Sequence, residues 1–243
     1  MLDTICVIPV RFGSTRFPGK PLALICGKPM IQWVYEAVKR AKYIDKIIIA
    51  TDDFRIFNVS KKFCPDVILT SKNCNSGTDR VALVAKKIKC RIVVNVQGDE
   101  PLIHPSIIDK LIIEIKKDSD IVMTTPVCKF SSENDIKNPN TAKVVIDKNN
   151  FALYFSRSVI PYSREIVLNY FYKHIGIYAY RKNFLLKFVK LKQRKLELTE
   201  KLEQLRVLEN GYKVKTVFVN RNTVPVDVPE DIKKVEMLLN GKN

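Results

Sequence analysis

Long apolar runs are missing from this sequence: none approaches the roughly 18 residues that a membrane span needs. The opening MLDTICVIPV carries an acid and no basic segment before its apolar stretch, so it does not read as a secretory leader. A cytoplasmic protein without membrane insertion is expected. Cysteine pairs are missing as well. Cys6, Cys26, Cys64, Cys74, Cys90 and Cys128 are scattered with no CxxC, which argues against zinc and thioredoxin-like patterns and leaves reduced, mostly buried thiols. Neither GxGxxG nor GxxxxGK followed by Ser or Thr occurs, so the familiar dinucleotide and P-loop fingerprints are excluded. There is no internal repeat, low-complexity segment or long linker in the 243 residues, a length that suits one α/β domain of ordinary size.

Acid is the remaining shortage. Asp and Glu total 25 against 42 Lys and Arg, a net charge of +17, and basic proteins attract polyanions. The lysines, however, recur along nearly the whole chain, in KKFCPD, VAKKIKCR, EIKKD, KLKQRK and DIKKVE. They fall on the polar faces of predicted helices and not in one arm interleaved with aromatics, which describes a solvated surface and not a nucleic-acid site.

What the sequence does contain is VIPVRFGSTRFPGKPL, from Val7 to Leu22. An apolar strand, Ile5 to Ile8, stops at Pro9 and gives way to Arg11, Arg16 and Lys20 on a loop punctuated by Gly13, Pro18 and Gly19. Ligands of open α/β sheets bind beyond the carboxyl ends of the strands, so cations here point to an anion, most simply a polyphosphate. Glycines let the backbone approach phosphate oxygens, and guanidinium groups fork onto them. A solvated basic turn would look the same in isolation.

The first half reads as βαβ units. Helical spacing follows Gly27-Lys28-Pro29 through Ile31, Val34, Tyr35, Val38 and Ala41, and short apolar strands are predicted at 46–50, 67–69 and 92–96. A helix carrying Val81, Val84, Ala85 and Ile88 lies between the last two. Such alternation means a mostly parallel sheet covered on both faces. The second half is less regular. Strands are predicted at 121–127 and 143–146, with a turn at 147–150 leading into 151–156 as a hairpin. HIGIYAY, 174–180, alternates like one strand; 197–210 reads as one amphipathic helix through Leu198, Leu202, Leu205 and Leu208, stopped by Gly211. A last strand spans 214–219, and Pro229 with Glu230 and Asp231 opens a closing helix.

Two acid motifs stand at strand ends. Asp99 in QGDE and Asp227 in VDVPED are candidate ligands of a divalent ion held against the phosphates, because magnesium takes one or two carboxylates and fills its shell with water and phosphate. Taken singly, either acid could equally serve a helix N-terminus. SGTDR, 76–80, could read a base edge or act only as a cap and turn.

These segments, with NVQGDEP, FALYFSRSVIP, LEQLRVLENG and VDVPEDI, together resemble the 3-deoxy-manno-octulosonate (Kdo) cytidylyltransferases over essentially the whole chain. The resemblance implies a Rossmann-like nucleotidyltransferase fold with an inserted dimerisation element: a nucleotide-binding part about 1–128, a sugar-binding and dimerisation part about 129–220, and a return about 221–243. It implies a homodimer that uses Mg2+ and joins CTP and Kdo for lipopolysaccharide biosynthesis. Phosphate contacts would fall on Arg11, Arg16 and Lys20, further nucleotide contacts on Gly13, Ser14 and Gln97, cytosine contacts on Ser76, Gly77, Thr78 and Arg80, and metal ligands on Asp99 and Asp227. Arg11, Lys20, Asp99 and Asp227 would carry catalysis. Sugar contacts would fall on Gln97, Arg157, Arg164, His174, Tyr178, Glu203 and Gln204. Five positions depart from the family pattern: Val228 replaces a threonine able to cap the last helix, Val224-Pro225 replaces a glycine-containing turn, and Phe17 and Asp79 stand where leucine and glutamate are commoner. The competing readings are a cytidylyltransferase for another acid sugar such as a sialic acid, and a basic nucleic-acid-binding protein without turnover.

Overall fold

Every residue from Thr4 to Val10 is buried, and a strand apolar on both faces needs cover on both sides. The structure, a computed structural model, describes residues 2–13, 16–164, 167–220 and 223–241. They form two units, 1–109 with 223–243, and 110–222.

The first unit contains β1 (Thr4–Val10), a small hairpin of β2 (Leu24–Ile25) and β3 (Lys28–Pro29), α1 (Met30–Lys39), β4 (Lys46–Thr51), α2 (Phe54–Ser60), β5 (Val67–Leu69), α3 (Gly77–Lys86), β6 (Ile92–Asn95) and the start of α4 (Pro105–Lys117). Four strands pair in parallel in the order β5-β4-β1-β6, as the alternating apolar runs predict. The chain steps outward from β1 to β5, then returns past β1 to lay down β6. That reversal makes β1 and β6 the switch point at which open α/β sheets bind ligands. The β1–β6 register ends at Val7 and Asn95. Two residues further on, Pro9 has no N–H with which to extend it, so the strands part there.

The second unit holds β7 (Met123–Lys129), α5 (Glu133–Lys137), β8 (Lys143–Ile146), β9 (Ala152–Ser156), β10 (Tyr172–His174), β11 (Tyr178–Arg181), α6 (Lys182–Phe188), α7 (Lys195–Glu200), α8 (Leu205–Glu209) and β12 (Lys215–Phe218). Its pairings are antiparallel except for β12, which lies parallel to β7. The predicted hairpin is β8–β9; Asp147 closes its turn by accepting from the N–H groups of Asn149 and Phe151.

Two expectations are corrected here. HIGIYAY is not one strand: β10 and β11 both pair with β7, and the break at 175–177 lies opposite Pro126, whose carbonyl accepts from Ile175 N–H but which has no N–H to return. The 197–210 stretch is not one helix. Lys201, with φ +54°, separates α7 from α8, and Leu198 is 49% exposed instead of core-facing. The break allows Arg206 to fold back on Glu197 in a buried bidentate pair, 2.6 and 2.7 Å.

The closing helix α9 (Glu230–Asn240) returns to the first unit and packs Val235 against Ile25, Met30 and Val226, with Phe17 at the edge. Val228 does supply no cap. Asp231 takes over by accepting from the N–H groups of Asp227 and Val228, 3.0 and 3.2 Å. Burial pushes its carboxyl up, but the bonds from Lys234 and from these two N–H groups outweigh it and hold the group below its ordinary value.

Candidate active site

A cavity of about 290 Å3 opens in the first unit where β1 and β6 part. Its walls come from the loop after β1 (Arg11, Arg16, Lys20), the start of α3 (Ser76, Gly77, Arg80), the loop after β6 (Gln97, Gly98, Asp99) and Asp227. Gly13 lies outside this lining, and Ser14 lies outside the described residues.

Lys20 is carried by a short turn that follows Gly19, whose φ of +73° favours glycine. Gly19 N–H donates to Phe12 carbonyl, 2.9 Å, which closes the loop. The ammonium of Lys20 then donates to Asp99 Oδ2 at 2.7 Å and to Val226 carbonyl at 2.8 Å, and stands 3.7 Å from Asp227 Oδ1. Arg16 meets the same Asp227 oxygen at 3.1 Å. Val226 N–H donates to Asp99 carbonyl, 2.9 Å, so the segment carrying Asp227 is pinned to the loop carrying Asp99. The altered Val224-Pro225 turn therefore leaves Asp227 directed at the cationic loop. Two carboxylates converge on one ammonium, and Arg16 shares the second of them.

Gly98 lets the loop after β6 lie against the end of β1. A Cβ there would lie 2.1 Å from Val10 Cγ1 and 3.3 Å from Pro9 carbonyl.

At α3, Ser76 and Asp79 form a reciprocal capping box, so the aspartate fills the role of the commoner glutamate. Thr78 is buried and accepts from Asn95 Nδ2 at 3.4 Å, beneath the cavity wall. Arg80 faces the cavity but is anchored: its Nη2 donates to Asp52 Oδ2 at 2.7 Å and its Nη1 to Thr70 Oγ1. Gln97 Nε2 is 3.4 Å from Asn95 Oδ1.

The second unit brings together three of the other singled-out residues. His174 Nε2 is 2.9 Å from Thr125 Oγ1, and His174 Nδ1 is 3.5 Å from Gln204 Nε2. Gln204 Oε1 accepts from Tyr178 hydroxyl at 3.2 Å. Burial drives the His174 imidazole down to about 3 and the Tyr178 phenol up, its rise reinforced by Glu203. Glu203 itself lies 3.7 Å from Arg206 Nη2. Arg157 is fixed elsewhere in this unit, with Nε on Glu200 carbonyl at 2.9 Å and Nη1 on Pro139 carbonyl at 3.0 Å. Arg164 is exposed.

Sequence reasoning missed Asp52, Thr70 and Thr125. Asp52 stood in view, at the end of an apolar strand, but its partner is 28 residues away. Thr125 and His174 are 49 residues apart, and a threonine within a strand carries no local signal.

A cytidylyltransferase family profile matches residues 5–217. A 3-deoxy-manno-octulosonate cytidylyltransferase of Thermodesulfovibrio yellowstonii is 47% identical over 98% of each chain. One from Parabacteroides distasonis is 48% identical over 96% of this chain and 97% of its own. A solved structure of CMP:2-keto-3-deoxy-manno-octonic acid synthetase complexed with CTP superposes with a TM-score of 0.94 at 39% identity, over 99% of this chain and 100% of that one. The fold extends to 4-diphosphocytidyl-2C-methyl-D-erythritol synthase from Anaerococcus prevotii, TM-score 0.67 at 15% identity, covering 98% and 99% of the two chains.

Proposed function

Because the chain belongs to the 3-deoxy-manno-octulosonate cytidylyltransferase family, we propose that it transfers CMP from CTP to the anomeric hydroxyl of Kdo, giving CMP-Kdo and pyrophosphate for lipopolysaccharide biosynthesis. The observation that carries this reading is the Lys20 ammonium held between Asp99 and Asp227 at the β1/β6 switch point, with Arg11 and Arg16 on the same wall.

In this reading the triphosphate lies along Arg11, Arg16 and Lys20, with Gly13 and Ser14 in the same loop. Their charge stabilises the negative charge that builds on the phosphoryl oxygens and the departing pyrophosphate during in-line attack. Ser76, Gly77, Thr78, Arg80 and Gln97 seat the cytosine; Asp52 keeps the Arg80 guanidinium in one orientation. Gln97, Arg157, Arg164, His174, Tyr178, Glu203 and Gln204 take the acid sugar, the arginines suiting its carboxylate and the neutral groups its hydroxyls.

Magnesium fits the donor set. Among the described residues no three His, Cys, Asp or Glu side chains gather to hold a metal, but Asp99 and Asp227 already share one cation, and two carboxylates are what magnesium asks of a protein when phosphate and water complete its shell. Bound there, it would neutralise phosphate charge and acidify the attacking hydroxyl.

The homodimer belongs to the same proposal. It is supported by large apolar side chains left open in the second unit, Leu153 at 62%, Tyr162 at 90% and Tyr170 at 64% exposure, surface that a second copy would cover. No helix of the described residues is long and apolar enough to cross a membrane, which agrees with a cytoplasmic location.

A coupled pyrophosphate assay tests the reading. Release is expected with CTP, Kdo and magnesium together, and its loss on chelation. Release with a sialic acid and none with Kdo would overturn the substrate assignment.

A further inference from the structure

Thr125 is wholly buried on β7, and its hydroxyl oxygen meets three groups: His174 Nε2 at 2.9 Å, Ile177 carbonyl at 2.9 Å and Ile175 carbonyl at 3.2 Å. A hydroxyl has one hydrogen to give. The two carbonyls can only accept, so that hydrogen must go to one of them, and otherwise both would face a bare oxygen. Ile175 carbonyl already accepts from Ile177 N–H at 2.8 Å, which leaves Ile177 carbonyl as the group in need. The Thr125 oxygen is then an acceptor toward the imidazole, and His174 must carry its proton on Nε2.

The rest of the cluster follows from that one proton. Nδ1 is bare and faces Gln204 as an acceptor, so the amide presents its NH2 to the ring and its oxygen to the Tyr178 hydroxyl. Threonine, histidine, glutamine and tyrosine form a directed chain of neutral hydrogen bonds. His174, 8% exposed, also packs edge-on against Phe155, with ring centroids 5.0 Å apart.

We propose that Thr125 is a positioning residue for sugar recognition: by accepting from Nε2–H it locks His174 as the neutral Nε2–H tautomer, whose Nδ1 accepts from Gln204 and so fixes that amide with its NH2 toward the ring, one hydrogen being left to donate to a hydroxyl of the acid sugar. The inference rests on the Kdo reading of this cluster. It assigns to Thr125 a task that the spacing of the motifs does not reveal.

The chain has two histidines, so long-range proton–nitrogen correlation spectra of the full protein labelled at histidine can be assigned by replacing His104. The buried ring is expected to show a protonated Nε2 and an unprotonated Nδ1 at neutral pH, without substrate. A Nδ1–H pattern, or two averaged nitrogens, overturns the lock whatever the enzyme turns over. Thr125→Val keeps the shape and removes the acceptor. It should blur the His174 tautomer pattern and raise the KM for Kdo about tenfold, with the KM for CTP within about twofold of the parent, and Thr125→Ser should restore both. An altered tautomer with unchanged Kdo KM, or equal losses toward both substrates, overturns the positioning role while leaving the substrate reading intact. Absence of Kdo turnover in the parent overturns that reading itself, and with it the sugar role of Thr125.

Discussion

In the first unit the cavity is lined by ionised groups, and its most open pair meets solvent: Arg16 and Asp227 are 3.1 Å apart with side chains 58% and 39% exposed, while Lys20 holds Asp99 more tightly at 2.7 Å. In the second unit Thr125, His174, Tyr178 and Gln204 are almost fully buried and bonded to one another as neutral groups. The difference is physical. Phosphates bring charge that must be met by charge, and solvated cations can move onto a ligand at little cost because they give up weak partners. Hydroxyls are distinguished by the direction of a hydrogen bond, which requires a dry, fixed frame in which a misplaced donor is expensive. Under the proposed function, the first unit would stabilise the reaction and the second would discriminate between sugars.

The sharpest way to break that contrast is to remove the charge that organises the first cavity. Lys20→Met should lower kcat/KM about a thousandfold, roughly 4 kcal/mol of transition-state stabilisation, with the fold intact by circular dichroism. Steady-state pyrophosphate release measures it. A tenfold loss or less would mean that Arg11 and Arg16 suffice and that the Lys20 contacts to Asp99 and Val226 are structural.

The next largest effect concerns a fully buried ion pair of the second unit. Arg206 and Glu197 are about 5% exposed and bidentate. Arg206→Met strands a buried carboxylate and should cost about 3–5 kcal/mol in urea unfolding. It should also loosen the α7–α8 break that presents Glu203 and Gln204.

How much of this was legible in the sequence follows the same division. The first unit's strands are continuous apolar runs, and its cations and acids stand at the strand ends, so residues such as Lys20 and Asp99 could be singled out from local spacing, whereas Arg80 is singled out only through the family resemblance. Asp52 escaped notice because its role exists only through Arg80. In the second unit local pattern misled: HIGIYAY alternates as one strand does, but Pro126 on the facing strand interrupts the pairing, and the leucine spacing of 197–210 runs across a left-handed residue whose energy is offset by the Glu197–Arg206 pair. Hydrogen-bond direction, on which the His174 cluster depends, is not a property of spacing at all.

A third test uses pH. His174 is held near 3 in the folded chain by burial, against an ordinary value of 6.5. Between those values the unfolded chain binds the proton and the folded one does not, so stability is full above about pH 6.5 and falls as the pH drops toward 3. From pH 7 to pH 5 the loss from this group should be about 2 kcal/mol. Urea titrations at the two pH values measure it, with His174→Gln as the variant that should lose this increment. An equal pH effect in parent and variant would mean that the cluster tolerates a charge.

The smallest effect is the counterpart of the second. Arg16→Ala removes the exposed ion pair with Asp227, and stability should change by no more than about 1 kcal/mol, since such pairs lose in ordering what they gain in attraction. The KM for CTP should nevertheless rise, by about five- to tenfold, because in the proposed complex the guanidinium leaves Asp227 for a phosphate. Raising the salt concentration should weaken CTP binding in the parent more than in the variant, since the solvated contact is the one that screening reaches. Were Arg16→Ala to destabilise the chain as much as Arg206→Met while leaving the KM for CTP unmoved, the exposed pair would be a structural strut and the contrast between the two units would fail at its simplest point.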